Sequence, residues 1–488
     1  MKNYLVFTFI ALAGLVLGCN DILDINDDPL AATQADPDLL FPAVLVNLSN
    51  NRTIELSGRM GNVVQYYEPG LPVLGDMALG SLGNIFITGN TWRNYYGAGG
   101  GGLKDLVLIE QDAAAKSPPN DNVIAQSKIM QAFIYYLLTG IWERVPFTEA
   151  VNFDITQPAY DDQQTILRGV ITLCDEAIGM IDNDPSVFRI TRGDLIYNGD
   201  LDKWVKFANS LKLKSLLLLA NKTTDVVSEI SQLVGQPLIT TLADEAAFKY
   251  YNIPGNYNPI WNTLNLLAGG VNANLAMAST TFMNVMNSLN DPRKSTYYDE
   301  SVVPGSVGSG NFGPAAAPGS YGGTPSAPSI VSLKIIRRDF PDRYMTAAEI
   351  LLMQAEVIAK GWASGSMADA NMKYQAGILA SMNFFDGKPG AITPTNKDAY
   401  LASLPDLASL SQAEALKAIH LQIYINNFLR MPDAWIEWKR TKVPDLVVPQ
   451  GSLLSDILRR LFYPPDEKGA NPNTPTDPPL DSPMWYEK

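Results

Sequence analysis

Four stretches of the chain carry apolar residues at helical spacing. In "AQSKIMQAFIYYLLTGIWERV" the apolar positions Ile129, Ala132, Phe133, Tyr136, Leu137 and Ile141 recur every three or four residues, which predicts a helix with one sticky face. "DLDKWVKFANSLKLKSLLLLANK" repeats the pattern through Trp204, Phe207, Ala208, Leu211, Ser215, Leu218 and Leu219, with Asp200 or Asp202 placed as the cap. "RYMTAAEILLMQAEVIAKGW" has Thr346 three residues before Glu349, the spacing of a capping box, and Gly361 to end it. The fourth, Leu410 to Leu429, has a similar cap at Ser411. Alanine-rich helix pairs of this kind resemble degenerate tetratricopeptide repeats, without a clean period. Strand signals are sparse, and "SIVSLKIIRR" (Ser329 to Arg338) is the best of them. The period is not clean enough to fix a repeat, and the pattern predicts a mainly α, mostly helical protein with long loops and little β.

The long loops are written in composition. Val302 to Ser329 is rich in Gly, Pro, Ser and Ala and cannot be a regular element. The C-terminal stretch ending in Trp485 and Tyr486 reads as an extended tail that wraps the surface.

At the N-terminus the pattern has another meaning. After Lys2, the apolar run Tyr4 to Leu17 is about a dozen residues, short of the ~20 needed to span a bilayer, and fits a secretory signal segment. Val16-Leu17-Gly18 leads directly into Cys19, as in a bacterial lipobox. Residues 1–18 are thus expected to be a cleaved signal peptide, Cys19 the lipidated first residue, 19–38 an anchor and flexible spacer, and 39–488 the helical body. Each buried CH₂ contributes about 0.8 kcal/mol, so a multiply acylated cysteine holds stably to a membrane. Lipidation of Cys19 leaves Cys174 without an intrachain partner.

Charge and composition narrow the function. Fifty acids against 36 bases give a net charge of −14, opposite to what a nucleic-acid-binding face requires. His420 is the only histidine, which removes multi-histidine metal sites and HExxH proteases, and no G-x-S-x-G elbow exists to serve a hydrolase triad. Its place inside "AIHLQIY" reads as a buried or half-buried helix position. Gly97, Gly99 and Gly102 match G-x-G-x-x-G in form, but "NTWRNYY" before them is no buried strand, so no nucleotide is implied. Asp24, Asn26 and Asp28 begin like a calcium loop that Pro29 then breaks, and no metal or other cofactor is implied. The carboxylate pair of a glycosidase leaves no motif and could sit anywhere among the acids.

What remains is recognition chemistry. Aromatics recur beside amides and glycines in Tyr66-Tyr67, Trp92-Arg93-Asn94-Tyr95-Tyr96, Tyr250-Tyr251-Asn252 and Asn256-Tyr257-Asn258 with Trp261 following. Ring faces offer a flat platform to the C–H faces of sugars, and Asn, Asp and Arg fix orientation by hydrogen bonds. The same inventory suits a peptide, and any single ring is more often core; Trp92 and Tyr96, four apart, would form a helix stripe. The candidate ligand-binding residues are Trp92, Asn94, Tyr95 and Trp261, with Tyr66 and Tyr257 as reserves.

The chain resembles the SusD/RagB outer-membrane lipoproteins, in the SusD-like nutrient-binding branch. The resemblance is carried in order by "CNDILDINDDP", "TWRNYYGA", "GIWERVPFTEA", "DKWVKFANSLKLKSLLLLANK", "NDPRKSTYYD", "MTAAEILLMQAEVIAKGW", "AWIEWKRTKVPDL" and "RRLFYPPDEKGANPN", and covers nearly the whole chain. It implies a single large α-helical domain on a degenerate tetratricopeptide-like helix-pair scaffold, and a non-catalytic, surface-exposed lipoprotein of the outer membrane that captures oligosaccharides, in preference to oligopeptides, and passes them to a SusC-like TonB-dependent β-barrel transporter. It also implies a ligand-stacking role for Trp92. The glycine run Gly97 to Gly102 and the loop Val302 to Ser329 depart from the family pattern. A lipid-anchored glycoside hydrolase and a structural or adhesive helical-repeat lipoprotein are the alternatives.

Overall fold

Capping side chains set where the helices begin. Asp162 accepts from the N–H of Thr165, Asp200 from Lys203, Thr346 from Glu349, and Ser366 and Ser411 form reciprocal boxes with Asp369 and Glu414. Each satisfies an amide that the first helical turn leaves without an intrahelical acceptor. The computed structural model describes residues 36–70, 75–81, 85–262, 276–300, 312–320 and 328–487. The expected signal segment, Cys19 and most of the spacer lie outside them, as does most of Val302 to Ser329.

The chain is mainly helical, as the periodicity predicts. It opens with α1 (Pro37–Asn50), a π-helical stretch (Asn51–Ser57) and α2 (Gly58–Val63). There follow β1 (Tyr67–Glu68), α3 (Ile85–Tyr96), α4 (Leu103–Ala114), α5 (Asp121–Trp142), α6 (Gln163–Met180), α7 (Leu201–Leu219) and α8 (Val227–Leu233). Next come β2 (Ala246–Phe248), β3 (Met277–Ala278), α9 (Thr280–Ser288), α10 (Lys294–Tyr297), β4 (Asp342–Met345), α11 (Ala347–Ala359) and α12 (Met367–Asn383). The last helices are α13 (Pro394–Ser403), α14 (Gln412–Asn426), α15 (Met431–Thr441) and α16 (Pro465–Ala470). Residues Pro37–Lys488 form one compact unit.

Contacts between helix ends reveal antiparallel pairs. Asn122, at the start of α5, exchanges hydrogen bonds with Asp182 just past α6, while Gln163 at the start of α6 donates to the Thr139 carbonyl near the end of α5. Asn183 and Asp202 join the end of α6 to the start of α7. In the C-terminal half Gln412 donates to the Ala359 carbonyl and Asn426 to Thr346, which sets α14 antiparallel to α11. Close approach is allowed by glycine: a Cβ on Gly377 of α12 would lie 2.7 Å from Leu352 Cγ of α11.

Helix α5 is not the one-faced helix of its periodicity. Nearly all its residues are buried, because α4, α6, α7 and α15 surround it. Its polar residues are satisfied there: Gln126 pairs with the backbone of Ile190, Ser127 with the Leu106 carbonyl and Gln131 with Glu110.

A buried ionic seam joins the two halves. Lys214 of α7 lies 2.6 Å from Glu349 of α11 and 2.7 Å from Asp433 of α15, while Arg52 reaches Asp342 at 3.1 Å and Asp433 at 3.0 Å. Arg430 contacts Glu349 at 2.9 Å. Burial opposes ionisation of Asp433, but Arg430, Lys214 and Arg52 outweigh it and hold its carboxyl below the usual range.

The sheet content is two short antiparallel pairs. β1 pairs with β3 (Tyr67 opposite Ala278), and β2 with β4 (Ala246 opposite Met345, Phe248 opposite Asp342) through a bulge. The stretch Ser329 to Arg338 is not a strand. Only Ile330 and Val331 bridge, to Met277 and Tyr298, before amides of Ile335 and Ile336 turn back onto the Ser332 carbonyl and bury both side chains. The tail also differs from a surface wrap: Tyr486 is fully buried and its hydroxyl donates to the Ile436 carbonyl at 3.2 Å. Cys174 is free and buried in α6, and His420 is half-buried on α14, 3.2 Å from Glu356.

Candidate functional site

The loop after β2 carries a group of accessible rings, Tyr251, Tyr257 and Trp261. It turns back on itself through the amide of Tyr251 to the Asn256 carbonyl (2.9 Å) and of Asn256 to the Ile253 carbonyl (2.9 Å), and Gly255 takes the positive φ of +89° that the turn requires. Asn258 then clips the loop to the segment before β4: its backbone donates to the Arg338 carbonyl and its side chain to the Phe340 carbonyl, both at 2.7 Å. Its Oδ1 accepts from Ile260, starting a helical turn that presents Trp261.

Tyr257 and Trp261 pack edge to face with centres 5.4 Å apart. The Arg338 guanidinium lies 4.7 Å from the first ring centre and 4.3 Å from the second, and donates to Asn252 at 3.2 Å. Both rings remain half-exposed, and Tyr251 beside them is 54% exposed.

Tyr257 and Tyr251 line a cleft of about 470 Å³. Its floor is Phe248 and Tyr250, rings 5.0 Å apart, with the Tyr250 hydroxyl donating to Asn50 at the end of α1 (3.3 Å). The far wall is the turn 192–199, contributing Arg192, Leu195 and Asn198. Asp194 builds that turn: its carboxylate accepts from the amides of Ile196, Tyr197 and Gly199 and from the Trp204 indole at 2.8–3.1 Å. Burial pushes the Asp194 carboxyl up, and these donors oppose the shift. The cleft thus offers ring faces at one side and the amides Asn198 and Asn256 at the rim, an inventory for hydrogen-bonding, C–H-rich ligands.

The other candidate residues sit elsewhere. Tyr66 has no accessible surface: it stacks on Tyr424 at 4.5 Å and donates to that residue's carbonyl at 2.5 Å, so neither face meets solvent. Tyr95 is buried beside Arg52. Asn94 is half-buried, its carbonyl accepting from Asn47 at 3.1 Å. Trp92 is 5% exposed and enclosed by Tyr96, Trp142, Tyr160 and Tyr463; its edge borders a second cleft of about 400 Å³ that shares no residue with the first. The glycine run is a tight turn between α3 and α4. Asp105 accepts from Gly101 and Gly102, and a Cβ on Gly101 would sit 2.7 Å from the Ala43 carbonyl.

Sequence reasoning did not single out Phe248, Asn50, Arg192, Asn198 or Arg338. Arg338 lay within the expected strand; the others carry no periodic or motif signal, because the fold brings them together from three separate segments. Among the described residues, no group of three His, Cys, Asp or Glu could hold a metal ion, and no described helix is long and apolar enough to cross a membrane.

Comparison with known proteins gives the class. The SusD-like family model described as "Starch-binding associating with outer membrane" matches residues 29–464, and the chain belongs to that family, within SusD/RagB. Its fold is similar to that of a SusD/RagB family protein from Bacteroides thetaiotaomicron, with TM-score 0.75 and 18% identity over 93% of this chain and 99% of the other. It is also similar to a chitin-binding protein (TM-score 0.73, 23% identity, 90% and 94% covered). A chitin-binding SusD homologue from Flavobacterium johnsoniae gives TM-score 0.71 and 18% identity, with 91% and 98% covered. No match is found among curated proteins.

Proposed function

We propose that the protein is a cell-surface lipoprotein that captures oligomeric nutrients, oligosaccharides in preference to oligopeptides, and passes them to a SusC-like TonB-dependent outer-membrane transporter. The observation that carries the reading is the cleft in which Tyr251, exposed, and Tyr257, half-exposed, stand with Asn198 and Asn256. The family description, starch binding with outer-membrane association, and the chitin-binding relatives support a sugar as the ligand. In this reading residues 1–18 are removed, Cys19 carries the lipid and 19–38 is the spacer. Binding, not bond cleavage, is the role of the site.

A ring face in such a cleft excludes water from one side of a sugar while amides satisfy its hydroxyls, so affinity comes from several modest contacts. Tyr257, held against Trp261 and Arg338, forms the rigid side, with Trp261 behind it outside the cleft lining; Tyr66, Tyr95 and most of Trp92 serve the core. Calorimetric titration of the mature chain with maltohexaose and chitohexaose tests capture. Gentle solubilisation of outer membranes tests hand-over: the expected result is co-purification with a large β-barrel, and a barrel-free monomer contradicts it.

A further inference from the structure

A second cavity of about 480 Å³ adjoins the aromatic cleft, and the two share Ile196 and Lys249. Together they form a trough along β2, with Arg192 at one end and Lys203 and Lys388 at the other. The chain as a whole carries a charge of −14, so the balance of charge here is unexpected.

Each carboxylate at the trough already has partners. Asp194 accepts from five N–H donors, those of Ile196, Tyr197, Gly199, the Trp204 indole and the Gln126 amide. Glu245 is held by Arg343 at 2.7 Å and by the amide of Ala347 at 3.0 Å. Asp386 pairs with Lys397 at 2.5 Å, and Asp200 with Lys203 at 3.6 Å. Arg192, Lys249 and Lys388 make no ion pair among the described residues; the Lys388 ammonium donates to the Phe384 carbonyl and lies 3.8 Å from that ring. Burial, with Arg343 and Arg337 nearby, lowers the Lys388 ammonium from its ordinary value, and Glu245 and Asp386 oppose the shift only in part.

Resting on the reading of the cleft as a sugar site, we propose that the trough takes an acidic oligosaccharide, its sugar faces on Tyr251 and Tyr257 and its anionic groups over Arg192, Lys249 and Lys388. Carboxylate and sulfate ester present the same charge to these cations. The neutral rings and the three cations then address different parts of one ligand, and charge supplies selectivity over a neutral chain.

The test is calorimetric titration of the mature chain with maltohexaose, hexagalacturonate, a sulfated hexasaccharide and hexaglutamate, each at low and high salt. The expected result is that at least one acidic sugar binds about tenfold or more tighter than maltohexaose at low salt, with the advantage shrinking at high salt. The two acidic sugars tell carboxylate from sulfate. Lys249→Gln with Lys388→Gln should remove that advantage by bringing acidic-sugar affinity down to that of the neutral chain, and Lys388→Gln alone, at a residue that lines only the second cavity, should shrink it while leaving neutral-sugar affinity unchanged. Neutral binding equal to acidic, or a double variant that keeps the preference, overturns the charge assignment and leaves the sugar site standing. Hexaglutamate binding as tightly as the sugars overturns the ligand class, and no sugar binding at all overturns the site itself.

Discussion

The Arg338 guanidinium lies 4.3 Å from the centre of the Trp261 ring. It also lies against Tyr257 and donates to Asn252, so one side chain fixes the rings and the loop that bears them. An exposed cation–π contact contributes about 0.5–1 kcal/mol. Arg338→Ala is expected to weaken oligosaccharide binding by roughly three- to tenfold by loosening the platform. Titration calorimetry with tryptophan anisotropy checks it; unchanged affinity with a freely mobile Trp261 would separate ring order from binding.

Tyr66 tests the opposite assignment. Its ring packs against Tyr424, Phe282 and Phe428 with centres 4.5–5.1 Å away. Tyr66→Ala should cost about 3–5 kcal/mol of stability, as other large aromatic truncations do. Tyr66→Phe, which removes only the hydrogen bond to the Tyr424 carbonyl, should cost about 1 kcal/mol and leave affinity unchanged. Denaturant unfolding paired with titration checks both, and a folded Phe variant with weakened binding would return Tyr66 to the site.

Glu68 should make stability depend on pH. Burial raises its carboxyl to about 8 from an ordinary value of 4.5, and the single hydrogen bond from the Gly319 amide opposes this only in part. Between these values the unfolded chain ionises Glu68 while the folded chain keeps it protonated, so stability falls as pH rises from 4.5 to 8 and levels above. The loss is on the order of a few kcal/mol. Glu68→Gln mimics the protonated form and should flatten that part of the curve. Melting curves from pH 5 to 9 that run parallel for both proteins would show that Glu68 does not titrate there.

How much was legible in advance follows from how local each signal is. The caps at Asp200, Thr346 and Ser411 and the breaks around them depend on neighbours within a few residues, and the helices they start are where the pattern put them. The burial of α5 on all sides was not legible, because its polar residues Gln126 and Gln131 look solvent-facing until Ile190 and Glu110 arrive from elsewhere. The site followed the same rule. Composition singled out Tyr257 and Trp261, of which only Tyr257 lines the cleft, and nothing near them in sequence announces Arg338, Asn50 or Arg192. Trp92 and Tyr95 read as both core and platform; their place among Trp142, Tyr160 and Arg52 is a tertiary fact.

Cys19 should decide where the protein resides without touching what it binds. Cys19→Ala is expected to release the chain from the membrane fraction, since the body offers no described helix able to span a bilayer. Fractionation and calorimetry check the two halves: a variant that stays membrane-bound contradicts lipid anchoring at this residue.

Capture of a sugar at the aromatic cleft is the central claim, and calorimetric titration of the mature chain against its Tyr251→Ala, Tyr257→Ala double variant tests it most directly. Stacking on an aromatic ring contributes on the order of 1 kcal/mol, so removal of both rings should weaken oligosaccharide binding by at least tenfold with the melting temperature nearly unchanged. Saturable binding that survives the double substitution at full strength would place the ligand elsewhere on the molecule and contradict the account.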